Sequence, residues 1–143
     1  MGHPLVEGLP SEPPRLPEVA GLPRPVALLP GSRPREVRAH MPLLVKVARQ
    51  LLERHPDTTF HSAHVSPVER ENMQRAAREG GLELDLREDD VHGVMASCRC
   101  AVVASGTATL ETAMFGTPLA VFYRITPLED RMRRWLLVPP FVG

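Results

Sequence analysis

The sequence is short of several things, and each shortage excludes something. Only two cysteines occur in 143 residues, Cys98 and Cys100, one residue apart. A pair so close closes a disulfide only under strain, so both read as small buried thiols of a reduced, intracellular protein. No apolar run approaches the roughly 20 residues of a membrane-spanning helix. The opening Met1–Pro10 has no basic region followed by a long apolar one, so a secretory signal is not expected. Net charge is lacking too, because 17 basic and 17 acidic side chains cancel. There is no global pull toward nucleic acid or an anionic membrane, and any bound anion must be held by a local site. Arginine supplies all but one of the basic residues, Lys46 being the exception. The GxGxxG, Walker and G-x-S-x-G frames are absent, which removes the commonest dinucleotide, nucleoside-triphosphate and hydrolase signatures.

What is present is ordinary globular material, 43% hydrophobic and 24% charged, enough for one domain with a core. Proline is dense at the start, at Pro4, Pro10, Pro13, Pro14, Pro17, Pro23 and Pro25. That spacing disfavours regular helix and central strand, so residues 1–24 are expected to form an extended connector in a chain that continues upstream. Val26–Leu29 is a continuous apolar run, as in a strand buried on both faces. A three- and four-residue apolar period over Arg35–Arg54 predicts an amphipathic helix with Pro42 inside it. Thr58–Val65 predicts a strand, Pro67–Glu79 a helix, and Leu82–Leu86 a strand near an edge. Asp89 or Asp90 should cap a short helix to Ser97. Cys100–Ala104 predicts a second buried strand, Thr107–Phe115 a helix, Leu119–Tyr123 a strand and Leu128–Leu137 a helix. Such alternation specifies an α/β domain over residues 25–143, a parallel sheet with helices on both faces. The apolar ending Val138–Gly143 belongs to no finished element, so the domain is expected to be truncated at its C-terminus.

In an open parallel sheet, ligands bind beyond the carboxyl ends of the strands. Two turns stand out there. Gly31-Ser32-Arg33 should leave backbone N–H groups free at a helix start, and Arg33 adds a planar cationic fork suited to phosphate. Ser105-Gly106-Thr107 offers hydroxyls, a close backbone approach and a second helix start, with Glu111 one turn further on. A carboxylate in that position suits ribose hydroxyls. The plainer reading is that Ser105 and Thr107 cap their helix while Glu111 complements its dipole. Two such turns converging on one sheet edge favour a binding site. His61 and His64, three apart on a strand, face opposite sides and make a poor metal pair. The six histidines are scattered, and none sits in a turn paired with a carboxylate. Arg131, Arg133 and Arg134 beside Trp135 form a basic amphipathic patch, either a solvated helix face or a contact with an acidic bilayer.

The strings Ala27–Arg33 (ALLPGSR) with Glu36-Val37, Ala104–Glu111 (ASGTATLE), and Tyr123-Arg124 with Pro127 resemble the lipid-A-disaccharide synthase family. Gly2-His3-Pro4-Leu5 is similar to that family's entry into its second half. The resemblance runs along essentially the whole chain. It implies the C-terminal, Rossmann-like, UDP-sugar-binding half of a two-domain GT-B-type glycosyltransferase. Such an enzyme joins UDP-2,3-diacylglucosamine to 2,3-diacylglucosamine 1-phosphate and releases UDP, at the cytoplasmic face of the inner membrane, with no cofactor and no bound metal. By the resemblance Gly31, Ser32, Arg33, Ser105, Gly106 and Thr107 face the diphosphate and Glu111 the ribose. Tyr123 and Arg124 lie beside the site without an assigned role. Arg87–Asp90 departs from the family's acidic-residue-and-glycine pattern in the base-contacting loop. The family's N-terminal half, with its proposed acid or base, and a further asparagine-containing contact lie outside these 143 residues. The chain alone is therefore not expected to transfer sugar, and its partners would be the UDP-sugar, a membrane-borne lipid acceptor, and an N-terminal-half polypeptide or a second copy. Two alternatives stay open: another UDP-sugar enzyme, such as an epimerase or a different glycosyltransferase, and a non-catalytic remnant or interaction module.

Overall fold

The computed structural model describes residues 8–123. The helix expected at Leu128–Leu137, the arginine patch, Arg124, Gly2–Leu5 and Val138–Gly143 lie outside the described residues. Five strands, β1 (Arg24–Leu29), β2 (Thr58–His64), β3 (Asp85–Glu88), β4 (Cys100–Ala104) and β5 (Leu119–Phe122), form one sheet in the order β3-β2-β1-β4-β5. Every neighbouring pair is parallel. Five helices are interleaved: α1 (Pro17–Ala20), α2 (Pro34–Arg54), α3 (Pro67–Glu79), α4 (Val91–Ser97) and α5 (Thr107–Met114). This is the α/β, Rossmann-like arrangement that the alternation predicts. None of these helices is long and apolar enough to cross a membrane.

Both faces of the sheet are covered, which is why β1 reads as an unbroken apolar run. Val26 and Leu28 pack with Phe60 of β2 under Val37, Met41, Leu44, Val45 and Ala48 of α2 and Met73 and Ala77 of α3. Ala27 and Leu29 point the other way, with Ala101 and Val103 of β4, against Val94 and Met95 of α4 and Val19 of α1. The stripe on α2 recurs at three- and four-residue steps because 3.6 residues make a turn. Pro42 sits within α2 on its exposed side, and the helix runs through it to Arg54.

Two expectations are corrected. The stretch before residue 25 is not extended throughout, since α1 forms at Pro17–Ala20. Proline is tolerated at the first helical position, where its missing N–H has no partner to lose. Leu16 N–H donates to Ser97 Oγ at 2.6 Å, and Val19 is only 1% exposed, so this segment is packed against α4. The third strand begins at Asp85 rather than Leu82. Leu82 N–H instead closes the end of α3 on Ala77 O at 2.8 Å, while its side chain enters the core with the half-buried Leu84 and Leu86. The alternation marked which side chains face inward, whereas pairing with β2 starts at His61 opposite Asp85. As expected, β3 lies at an edge of the sheet that the described residues form.

Candidate functional site

The direction of chain progression across the sheet reverses between β1 and β4, because β2 and β3 lie to one side and β5 to the other. Crevices at such a switch point are where open α/β sheets bind ligands. A cavity of about 430 Å³ lies here, at the carboxyl ends of β1, β2 and β4. Gly31, Ser32, Arg33, Ser105, Gly106, Thr107 and Glu111 all line it. The two turns sit together because β1 and β4 are hydrogen-bonded neighbours, with Leu29 in register with Val103. Tyr123 does not join them. It follows β5, is 67% exposed, and is not among the residues lining this cavity.

The two turns are built differently. After β1, the N–H groups expected to be free are engaged. Ser32 N–H and Arg33 N–H both donate to Glu36 Oε2, at 3.2 and 3.4 Å. One helical turn further along α2, His40 Nδ1–H donates to Pro30 O at 2.6 Å. The ring of His40 stands edge-on to Phe122, 5.1 Å between centroids. Two side chains of α2 thus fold back and set the loop. Gly31 makes room for this: its φ is +116°, and a Cβ there would sit 2.5 Å from Glu36 Oε2. After β4 the plainer alternative, that hydroxyls cap the helix, does not hold. Gly106 occupies the N-cap of α5 and no side chain caps that helix start. Thr109 N–H donates to Gly106 O at 3.2 Å, which leaves the Thr107 and Ala108 N–H groups at the helix start without an intrahelical acceptor. Ser105 and Thr107 are exposed.

Four further residues of the cavity were not singled out by sequence as site residues. Glu36 was visible only as part of a motif. Glu69 is 4% exposed, and its Oε2 accepts Val65 N–H at 2.9 Å, while Ser66 Oγ accepts Glu69 N–H at 3.2 Å. Ser66-x-x-Glu69 is a capping-box pattern, so this carboxylate was detectable. Asp90 caps α4, its Oδ1 accepting Gly93 N–H at 3.1 Å, and also faces the cavity. His64, 5% exposed, lines it too, and its Nδ1 has no hydrogen-bond partner among the described residues. His61 lies on the other face, as strand alternation requires. Its Nδ1 meets Asp85 Oδ2 at 3.0 Å and its Nε2 meets Thr59 Oγ1 at 2.9 Å.

Two histidines meet carboxylates, though neither sits in a turn: His61, on β2, meets Asp85, and His92, on α4, meets Glu111. His92 Nε2 lies 3.7 Å from Glu111 Oε2, with His92 tilted against Phe115. Glu111 enters the cavity as a paired, mostly covered side chain, 20% exposed. The loop at Arg87–Asp90 contains one left-handed residue. Asp89 adopts φ +50°, a left-handed conformation that aspartate tolerates better than most residues, and its N–H donates to His64 O at 2.9 Å. Among the described residues the cavity's charged lining is Arg33 against Glu36, Glu69, Asp90 and Glu111. The cysteines are remote from it. Burial pushes the Cys98 thiol up to about 12, and Cys100 is also raised by burial, so neither is an activated nucleophile.

The sequence model of the lipid-A-disaccharide synthetase family matches residues 1–143. The chain belongs to this family. It is 38% identical over 147 residues to the lipid-A-disaccharide synthase of Thiobacillus denitrificans, covering all of this chain and 40% of that protein. Against the lipid-A-disaccharide synthase of Azoarcus sp. the identity is 37% over 151 residues, with all of this chain and 39% of the relative covered. Against that of Geobacter sulfurreducens it is 32% over 120 residues, with 84% of this chain and 31% of the relative covered. The chain thus spans about two fifths of the length of the first two relatives, in their C-terminal part. Those relatives are glycosyltransferases.

Proposed function

We propose that this chain forms the UDP-sugar site of a lipid-A-disaccharide synthase, in which 2,3-diacylglucosamine passes from UDP to 2,3-diacylglucosamine 1-phosphate. The observation that carries the reading is the convergence of two helix-start turns and Glu111 on one cavity at the switch point. Arg33 and the uncapped start of α5 would hold the diphosphate, and Glu111 the ribose hydroxyls. The chemistry is displacement at the anomeric carbon. A bond forms from the acceptor hydroxyl, the bond to UDP breaks, and UDP leaves with the electron pair. Arg33 and the N–H groups stabilise the charge that grows on the leaving diphosphate. The acceptor's proton needs a base, which the reading assigns to the relatives' N-terminal part rather than to this chain. The setting is the cytoplasmic face of the inner membrane, with the chain peripheral to the bilayer.

Calorimetric titration with UDP tests the site. Binding should be weakened by Glu111→Ala, whereas inorganic pyrophosphate, which has no ribose, should bind the variant as before. Equal loss of both ligands, or of neither, would overturn the ribose assignment. The reading places no metal ion at the diphosphate, so EDTA should leave UDP affinity unchanged. Competition by acylated against unacylated UDP-glucosamine separates a lipid A enzyme from another UDP-sugar enzyme, since only the first favours the acylated donor.

A further inference from the structure

The turn after β1 presents a contradiction that the proposed function does not resolve. Its two N–H groups are the ones a diphosphate would use, yet both already donate to one oxygen of Glu36. The carboxylate sits where an anion would sit, and Gly31 lacks the Cβ that would push it out. The surroundings do not favour a second negative charge. Arg33 faces four carboxylates around the cavity, and His64 contributes a ring nitrogen with no partner among the described residues. An incoming anion must therefore either displace Glu36 or bind beside it against its charge.

We propose that Glu36 is a built-in competitor for the Ser32 and Arg33 N–H groups, and that it lowers the affinity of this turn for any anion. The proposal rests on the reading of the cavity as an anion site. Releasing the carboxylate costs every anion the same two bonds, so Glu36 lowers the affinity of each ligand that uses these donors. Glu36 then tunes how tightly the turn holds an anion. It also keeps the turn in shape while no ligand is present, because the two donors stay satisfied.

The test separates competition from plain helix capping. Glu36→Gln keeps an acceptor that can cap the same N–H groups but removes the charge. Titrations with UDP, UMP and inorganic pyrophosphate are followed by calorimetry and by the amide resonances of Ser32 and Arg33. The variant is expected to bind all three about two- to fivefold tighter, the scale of one anion at a helix start. UDP and pyrophosphate should gain at least as much as UMP, because the carboxylate repels the more highly charged ligand more. Unaltered melting temperature shows that the cap survives. Unchanged or weaker binding by the folded variant overturns the competitor role, since a residue that only caps predicts that result. If pyrophosphate moves the Ser32 and Arg33 resonances and binds the variant tighter while UDP binds neither protein, the competitor role stands and the nucleotide reading falls. If none of the ligands moves those resonances in either protein, both fall.

Discussion

Removing the Arg33 guanidinium should weaken UDP binding by about five- to tenfold. The substitution is clean because Arg33→Ala keeps the backbone N–H that donates to Glu36 Oε2, so the turn retains its internal bonds. Arg33 lines the cavity but is exposed, and solvent screens an exposed charge. Exposed ion pairs contribute about 0.2–1 kcal/mol, and hydrogen bonds to charged groups about 1.5–3 kcal/mol. A fork on a diphosphate falls between these, at about 1–1.4 kcal/mol, which is the stated factor in Kd. Calorimetry on Arg33→Ala and Arg33→Lys reads it directly. Lysine keeps the charge and loses the planar fork, so it should recover part of the loss. Added salt should weaken the parent chain more than Arg33→Ala, because the variant has already lost the screened interaction. If Arg33→Ala binds UDP within twofold of the parent while Glu111→Ala is weakened, Arg33 is a solvated side chain beside the site and the argument fails.

Cys98 should resist thiol reagents at pH 8 in the folded chain and label only on unfolding, since burial holds its thiol near 12; rapid labelling of both cysteines without denaturant would contradict the packing under α4. Asp85 gives a pH dependence of stability. Burial pushes its carboxyl up, but hydrogen bonds from His61 and Arg87 outweigh this and hold it below the ordinary aspartate range. A lowered folded value means stability that is present at neutral pH and lost as pH falls through the ordinary aspartate range toward that lower value. Urea midpoints from pH 7 to pH 3 should therefore fall less steeply for Asp85→Asn than for the parent, and parallel curves would show that the His61–Asp85–Arg87 network contributes nothing.

The elements that were legible are those whose period their packing enforces. α3 and β4 fall at the residues expected, because a helix capped by Ser66 and a strand buried between two layers leave little freedom in placement. β3 shifted because facing and pairing are different properties, and Leu82 faces the core without pairing. α1 is hidden in the sequence because proline disfavours helix everywhere except its first turn, and only the fold shows that Pro17 takes that position. The site divides in the same way. Its two turns were legible from the rule that ligands meet the carboxyl ends of parallel strands. The pairing of His92 with Glu111 was not, since it joins two helices whose approach only the fold decides. Glu36 was hidden for a local reason: arginine is not a usual N-cap residue, so Arg33-x-x-Glu36 does not look like a capping box.

That hidden carboxylate makes the two turns unequal partners. At α5 no side chain caps the helix start, so the Thr107 and Ala108 N–H groups would meet an entering anion without first giving up a side-chain acceptor. At α2 the donors are satisfied in advance, so a ligand gains there only the difference between its own bond and the one that Glu36 gives up. A satisfied turn is a preformed turn, and preformed geometry lowers the ordering cost of binding. The same bond that lowers the ordering cost reduces the net gain in contact energy. On the proposed reading, affinity should therefore come mainly from α5 and the Arg33 side chain, with Glu36 limiting what the turn after β1 adds.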